Sequence, residues 1–414
     1  MSEVPYDAIV VGARCAGSAT ALLLARAGHR VLMVDRASFP SDTMSTLYIQ
    51  QRGVAHLRRW GLLDRVAARC PALDRVSYTI GAVRLEGCSR PVDGVGAAYA
   101  PRRSTLDALL VEAAVAAGVE FRPSCTLDGL LRDEDDRVTG VRLRSRGVRC
   151  EERARLVVGA DGMRSTLAEL AGARTLIEDE PKTCVYYAFW DGAADHFELY
   201  EAQDRWIGAV PTDDGQTLVQ AYFPQHEYAR VRTDAQAAYL EAVRATAPDL
   251  HARMLDGGCT ERLRGTGHQR NFFREAAGPG WALVGDAGHH RDSITARGIT
   301  HAFLQAQMLA DRVAGTTEDA PRLDLALRSY ARERYDALID DYHDTLSTAR
   351  LSVPEHRVRM IAEVARDAAR TEDFFSAMGG APRPATADSG ARSAAEAVRW
   401  MRAQRAQRAA AVKG

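Results

Sequence analysis

One stretch near the start of the chain constrains the fold more than any other. Asp7 to Val11 is an unbroken apolar run, followed by Gly12-Ala13-Arg14-Cys15-Ala16-Gly17. Ser18 to Ala27 is rich in alanine and leucine, Gly28 follows it, and Arg30 to Val34 is strand-like again. An apolar run without alternation is a strand buried on both faces. An Ala/Leu stretch closed by glycine is a helix with its stop signal. Strand, helix and strand in immediate succession imply a right-handed crossover and a parallel pair, hence an α/β fold.

The turn carries chemistry. A pyrophosphate needs a tight turn, close backbone approach and amides at a helix N-terminus. Gly12 supplies the turn and Gly17 the helix–strand packing, while Arg14 stands where a middle glycine is usual. Asp35, closing the second strand, sits at the offset from which an acid reaches a ribose hydroxyl. The pattern therefore predicts a dinucleotide site; a plain βαβ turn is the competing reading.

Two further strand-to-helix junctions follow. Gly159-Ala160-Asp161-Gly162-Met163-Arg164-Ser165 ends a buried-type run, Leu156 to Ala160, and read alone it is an ordinary turn with an acid at a helix start. Trp281 to Val284 is another such run, leading into Gly285-Asp286-Ala287-Gly288-His289 and then Gly298-Ile299-Thr300 at the head of a helix near Ile299 to Val313. An acid after a strand can bond a ribitol hydroxyl, and a helix N-terminus can face the edge of a flavin that gains charge on reduction.

Between these junctions the pattern changes. A polar stretch, Asp42 to Gln51, leads to a helix around Val54 to Trp60. Ser104 to Ala117 reads as a helix capped by Ser104 or Thr105, and a hairpin is expected around Asp133 to Arg137. Val185–Trp190, His196–Tyr200, Arg205–Val210 and Leu218–Phe223 are short aromatic-rich strands, expected to form one antiparallel sheet. After Pro321 the chain reads as charged helix. Pro382 to Gly390 reads as a link, and a last helix carries Arg399, Arg402, Arg405 and Arg408 as a solvated face.

With its three junctions in this order, the chain resembles the FAD-dependent monooxygenase superfamily, which includes aromatic hydroxylases, flavin halogenases and geranylgeranyl-reductase-like enzymes. The resemblance spans roughly residues 5–315. It implies an α/β fold: a Rossmann-like, glutathione-reductase-like FAD-binding domain, an antiparallel-sheet substrate domain and C-terminal helices. The expected bounds are 1–75, 100–175 and 265–320 for the FAD domain, 76–99 and 176–264 for the substrate domain, and 321–414 for the helical extension.

By the same resemblance, Gly12, Ala13, Cys15, Ala16, Gly17, Asp35 and Arg36 hold the ADP half of FAD. Asp161 and Gly162 match the family's Asp-Gly motif, Gly285 and Asp286 its ribitol-binding motif, and Gly298 and Ile299 offer amides to the isoalloxazine. Met44, Ser45, Thr46 and Leu127 line the cofactor by position. Arg103 resembles the flavin-contacting arginine of the family; a surface role beside Arg102 is the other reading. His289 and His290 are candidates for acid–base work or for packing. Tyr187 and Trp206 are candidates for the substrate wall or for the core. Along their strand, Tyr186, Tyr187 and Trp190 are divided between the two faces.

The branch of the superfamily is read from departures. Ser293, Ala296, Arg297 and Thr300 differ from the aromatic-hydroxylase pattern, and Asp292 is placed as in halogenases and prenyl reductases. Trp206-Ile207-Gly208-Ala209-Val210-Pro211 resembles the halogenase Trp-x-Trp element but has Gly208 for the second tryptophan. Lys182 and Lys413 are the only lysines, which leaves no candidate for the halogen-delivering lysine near the N-terminus. Prenyl reductases carry a cysteine with paired glycines after the second strand, and Phe39 to Thr46 has neither.

Oxygenation of a hydrophobic or aromatic small molecule is what remains, with O2 and with NAD(P)H as donor; an external flavin reductase could replace the latter. A halogenase or prenyl-type reductase on the same fold is one alternative, and a non-catalytic flavin-binding protein is another.

Composition narrows the setting. A formal net charge of −1 gives no footprint for nucleic acid or an anionic membrane. No apolar run is long enough to span a bilayer. Seven cysteines in no paired spacing suit a reducing cytoplasm and specify no metal site.

Overall fold

The computed structural model describes residues 6–379. The reading of 382–390 as a link and the helix bearing Arg399 to Arg408 lie outside the described residues. An eight-stranded sheet contains the parallel core. Tyr6–Val11 pairs in parallel with Val31–Val34 on one side and with the second half of Val148–Gly159 on the other. Trp281–Leu283 extends this row beyond Val148–Gly159. The first half of Val148–Gly159 instead joins the hairpin Cys125–Arg132 and Val138–Ser145, which turns at 133–137 as expected.

Helices Cys15–Arg26, Arg103–Ala116, Gly298–Val313 and Ala320–Thr348 cover one face of the parallel core. The hairpin packs on the other face. Both faces are therefore dry, which is why these strands read as continuous apolar runs.

The aromatic-rich strands Thr183–Asp191, Phe197–Ala202, Arg205–Pro211 and Gln216–Pro224 form a seven-stranded sheet with Val76–Ile80, Val83–Gly87 and Arg264–Thr266. One pairing departs from the antiparallel expectation: Phe197–Ala202 runs parallel to Val76–Ile80. This sheet is also covered on both sides. Tyr186, Trp190 and Phe223 pack under helices Ala235–Thr246 and Pro248–Gly257. Tyr187, Phe189, Trp206 and Tyr222 face the opposite way, against Leu47, Ile294 and the helices that carry Ile361 and Phe375.

Two local expectations need correction. The first helix starts at Cys15, which places Gly17 inside its first turn. The helix expected at Ser104 starts at Arg103 without a cap from Ser104 or Thr105. Its cap comes from across the fold: Asp213 accepts from the Arg102 N–H at 3.0 Å and from the Thr105 hydroxyl at 2.6 Å. A small third sheet, Thr175–Asp179 with Asn271–Arg274 and His289–His290, ties the two large ones together.

Candidate functional site

Glycines bring the three junctions together. A Cβ on Gly12, whose φ is +106°, would lie 2.4 Å from the carbonyl oxygen of Ala160, at the second junction. A Cβ on Gly17 would lie 1.7 Å from the Gly12 oxygen, and one on Gly285 2.7 Å from the Ala16 side chain. Each contact is possible only without a side chain. The first junction thus touches the second through Gly12 and the third through Gly285.

A cleft of about 550 Å³ runs where they meet. Sixteen residues expected at a cofactor line it: Gly12, Cys15 and Ala16; Asp35 and Arg36; Met44, Ser45 and Thr46; Arg103 and Leu127; Asp161 and Gly162; Gly285 and Asp286; Gly298 and Ile299. Ala13 and Gly17 do not line it. Ala13 instead donates its N–H to Asp35 at 2.7 Å, which fixes the carboxylate beside the turn, and the Ala37 N–H holds the other oxygen at 2.7 Å.

Arg14, standing where a glycine is usual, itself lines the cleft. It reaches Asp107 at 2.6 Å, and its guanidinium lies over the Phe39 ring. Asp107, fully buried, also accepts both oxygens' worth of hydrogen bonds from Arg103 at 3.0 Å and one from the Cys15 thiol at 3.3 Å. Arg103 is therefore not a free surface arginine: it is paired to Asp107 at the cleft wall. Burial pushes the Cys15 thiol upward, so Cys15 is held protonated.

Asp161 lines the cleft while serving the chain. It accepts from the Ser165 hydroxyl at 2.5 Å and the Leu167 N–H at 3.1 Å, at the head of helix Thr166–Leu170. Burial raises its pKa.

The two histidines separate. His290 lines the cleft, stacks on Phe272, and gives its Nδ1 proton to the Arg270 carbonyl, which leaves Nε2 as the acceptor in the neutral ring. His289 points into the core instead. It is 1% exposed, packs 4.2 Å from the Phe273 ring centroid, and neither ring nitrogen has a hydrogen-bond partner. Burial, then the charge of Arg291, keeps it neutral. An acid–base role for His289 at the cleft is thereby corrected to packing: strand alternation along His289–His290 sends the two rings to opposite sides.

Tyr187 and Trp206 do not line the cleft; both belong to the apolar cluster behind it. The link runs through Ser293, a cleft residue bonded to the Tyr222 hydroxyl at 2.9 Å and to Gln269 at 2.6 Å. Asp292 accepts from Thr183 at 2.7 Å, and burial raises its pKa to about 6.

Sequence reasoning missed Arg291 and Arg297, both buried and both on the cleft. Arg297 and His301 share Asp341, from the long helix Ala320–Thr348. Arg291 has no partner for its Nε or Nη2. The one signal was their position, two arginines between Asp286 and Gly298.

The residues present fit a flavin dinucleotide. The volume is in the range of cofactor sites. Cβ positions at Gly162 and Gly298 point into open space, and buried guanidinium nitrogens lack an acceptor. Elsewhere, Asp195, His196 and Glu198 lie close together, but Arg75 pairs with Asp195 and Arg253 with Glu198, so the charge a cation would supply is already present. All seven cysteines are free. No helix among the described residues is long and apolar enough to cross a membrane.

A family model described as "FAD binding domain" matches residues 5–338. Among curated proteins, the digeranylgeranylglycerophospholipid reductase of Methanosarcina mazei is 27% identical over 321 residues, 75% of this chain and 75% of the relative. Among solved structures, the flavin-dependent brominase Bmp2 superposes with a TM-score of 0.81 at 18% identity, over 97% of this chain and 100% of the other. PqsL, a probable FAD-dependent monooxygenase from Pseudomonas aeruginosa, gives 0.71 at 22% identity, over 91% and 99%.

Proposed function

Because the chain belongs to the FAD binding domain family of flavin-dependent oxidoreductases, we propose that it is a monooxygenase, which uses NAD(P)H and O2 to hydroxylate a hydrophobic or aromatic small molecule. Bound FAD would supply the redox chemistry, taking electrons from a nicotinamide and passing them to oxygen. The observation that carries this reading is the convergence of the three junctions on one cleft, backed by an aromatic sheet face.

The chain's own groups divide the work. The turn at Gly12, with Asp35 beside it, suits the ADP half; Asp286 and the amides of Gly298 and Ile299 suit the ribitol and the ring. Ser293 lines the cleft and bonds the Tyr222 hydroxyl at the margin of the aromatic cluster, which supports a substrate seated in the cleft beside Ser293. His290, with an acceptor nitrogen at the cleft, is the candidate for proton transfer.

Reduction of an isoprenoid alkene is the second reading, favoured by the likeness to the archaeal reductases. Halogenation has less support: Gly208 replaces a tryptophan, and Lys182, the only lysine among the described residues, does not line the cleft.

The test is a spectrum followed by oxygen uptake. Purified protein should be yellow, or become so with FAD, and should consume O2 and NAD(P)H when an aromatic substrate from a panel is added. Alkene reduction without oxygen uptake would favour the second reading. A colourless protein that FAD cannot reconstitute would end both. Asp286→Ala should weaken FAD retention at least tenfold with the fold intact by circular dichroism; unchanged retention removes Asp286 from the site.

A further inference from the structure

Ser293 lines the cleft and is half-buried. A serine hydroxyl can donate or accept, and its neighbours decide which role is left for a ligand. The decision starts at Gln269, which is buried. One end of its amide meets the Ser293 N–H at 3.1 Å, and the other meets the Thr183 carbonyl at 3.3 Å. A backbone N–H only donates and a carbonyl only accepts, so the amide oxygen faces Ser293 and the amide nitrogen faces Thr183. The same amide oxygen lies 2.6 Å from the Ser293 Oγ. It carries no proton, so the serine proton lies between the two.

Tyr222 then has one role left. Its hydroxyl is 2.9 Å from the Ser293 Oγ and 3.2 Å from Gln220. Two hydroxyl oxygens at hydrogen-bond distance need one proton between them, and the serine's is spent on Gln269. Tyr222 therefore donates to Ser293. A hydroxyl oxygen has two lone pairs, of which Tyr222 takes one. The second is all that Ser293 can offer to the cleft. The far end of the amide is also tied down: its nitrogen bonds the Thr183 hydroxyl at 2.9 Å, which donates to Asp292 at 2.7 Å. One residue along from Gln269, the Arg270 carbonyl takes the Nδ1 proton of His290, so the neutral ring of this second cleft residue keeps an acceptor as well.

We infer that Gln269 fixes the Ser293 hydroxyl as a hydrogen-bond acceptor, and that Ser293 thereby selects a substrate bearing an N–H or O–H group over one of the same shape without it. Gln269 is the positioning residue; Ser293 is the group that meets the substrate. This deepens the function proposed above and rests on it in seating a small organic molecule beside Ser293. A molecule with a lone pair at that point would face the lone pair of Ser293, which has no second proton with which to answer. The polar group would stay unpaired, and such a site rejects the analogue for that reason.

Indole and benzofuran differ in N–H against O, and phenol and fluorobenzene in O–H against F, at nearly constant shape. The experiment measures binding of both pairs to the FAD-loaded protein through the change each makes in the flavin absorption spectrum, without turnover. In at least one pair the donor should bind at least about fivefold more tightly. Ser293→Ala should erase that preference. Gln269→Met, which frees the serine proton to point at the ligand, should erase it too, whereas Gln269→Glu, which keeps an acceptor toward Ser293, should retain it. A role for Gln269 in packing alone would not separate Glu from Met in the ratio of donor to non-donor binding. Equal binding within both pairs, no binding by any of the four, or a preference that Ser293→Ala leaves unchanged overturns the proposal. Should the Gln269 variants fail to fold by circular dichroism, wild type and Ser293→Ala decide it. Failure of the wild type to take up FAD is a different result and defeats the FAD reading. Donor-selective binding with no oxygen uptake on any substrate of the panel defeats the monooxygenase reading and leaves the acceptor site standing.

Discussion

Gly17 and Gly298 both stand in the first turn of a helix at the cleft, yet alanine should act oppositely at the two positions. At Gly17 the new methyl would lie 1.7 Å from a backbone oxygen, so Gly17→Ala should cost at least about 3 kcal/mol in urea unfolding. At Gly298 nothing lies within 4 Å, so Gly298→Ala should leave the apoprotein as stable or up to about 1 kcal/mol more stable. Its FAD affinity should fall at least tenfold; equal affinity would mean the flavin does not approach this amide. Buried titratable groups set a pH dependence. Burial lowers His301 to about 3 and His56 to about 4. The unfolded chain then takes up protons below about pH 6.5 that the folded chain refuses, so stability is full above that pH and lost as pH falls. Asp292, raised to about 6, acts in the opposite sense, because the folded form binds its proton first. At pH 5 these two histidines cost roughly 2 kcal/mol each, buried His289 adds to the loss in the same sense, and Asp292 returns roughly 1, so stability should fall by at least about 3 kcal/mol relative to pH 8. Thermal melts of the apoprotein at the two pH values check this, and His301→Gln should flatten the difference.

Among the elements, helix Arg103–Ala116 depends on a cap from another sheet. Asp213→Ala would leave the Arg102 N–H and the Thr105 hydroxyl without their acceptor. The expected loss is about 1–2 kcal/mol in denaturant unfolding. Asp213→Asn, which keeps an acceptor, should recover much of it. A full loss with Asn as well would assign the effect to charge rather than to capping. The strands of the aromatic sheet were legible because each is a short apolar, β-branched and aromatic run between turns. The parallel pairing of Phe197–Ala202 with Val76–Ile80 was not, since that pairing closes over more than a hundred residues of intervening chain.

At the scale of the whole molecule, the C-terminal helices complete both cores. Leu323, Leu327, Tyr330, Leu338 and Tyr342 pack on the parallel sheet, while Ile361 and Phe375 cover the face bearing Tyr78, Trp206 and Tyr222. A chain ended after Val353 should keep the first cover and lose the second. It should bind the dye ANS strongly and aggregate at concentrations where the full chain stays monodisperse. Dye binding equal to that of the full chain would show that helices Glu355–Val364 and Ala368–Met378 are dispensable covers.

The order of apolar runs, turns and acids determined by itself that three strand-to-helix junctions exist and what class of cofactor they suit, because periodicity and turn chemistry are local properties of the backbone. Folding decided which side chains meet. Arg14 and Arg103 converge on Asp107, Gly285 admits Ala16, His289 turns inward while His290 turns to the cleft, and Arg291 is left with unpaired nitrogens beside Gly298. Such partners lie far apart in the chain, and nothing in their local sequence carries the closure that joins them. Burial and electrostatics then act on the assembled cluster, so the charge state of each group became defined only once the cleft was built.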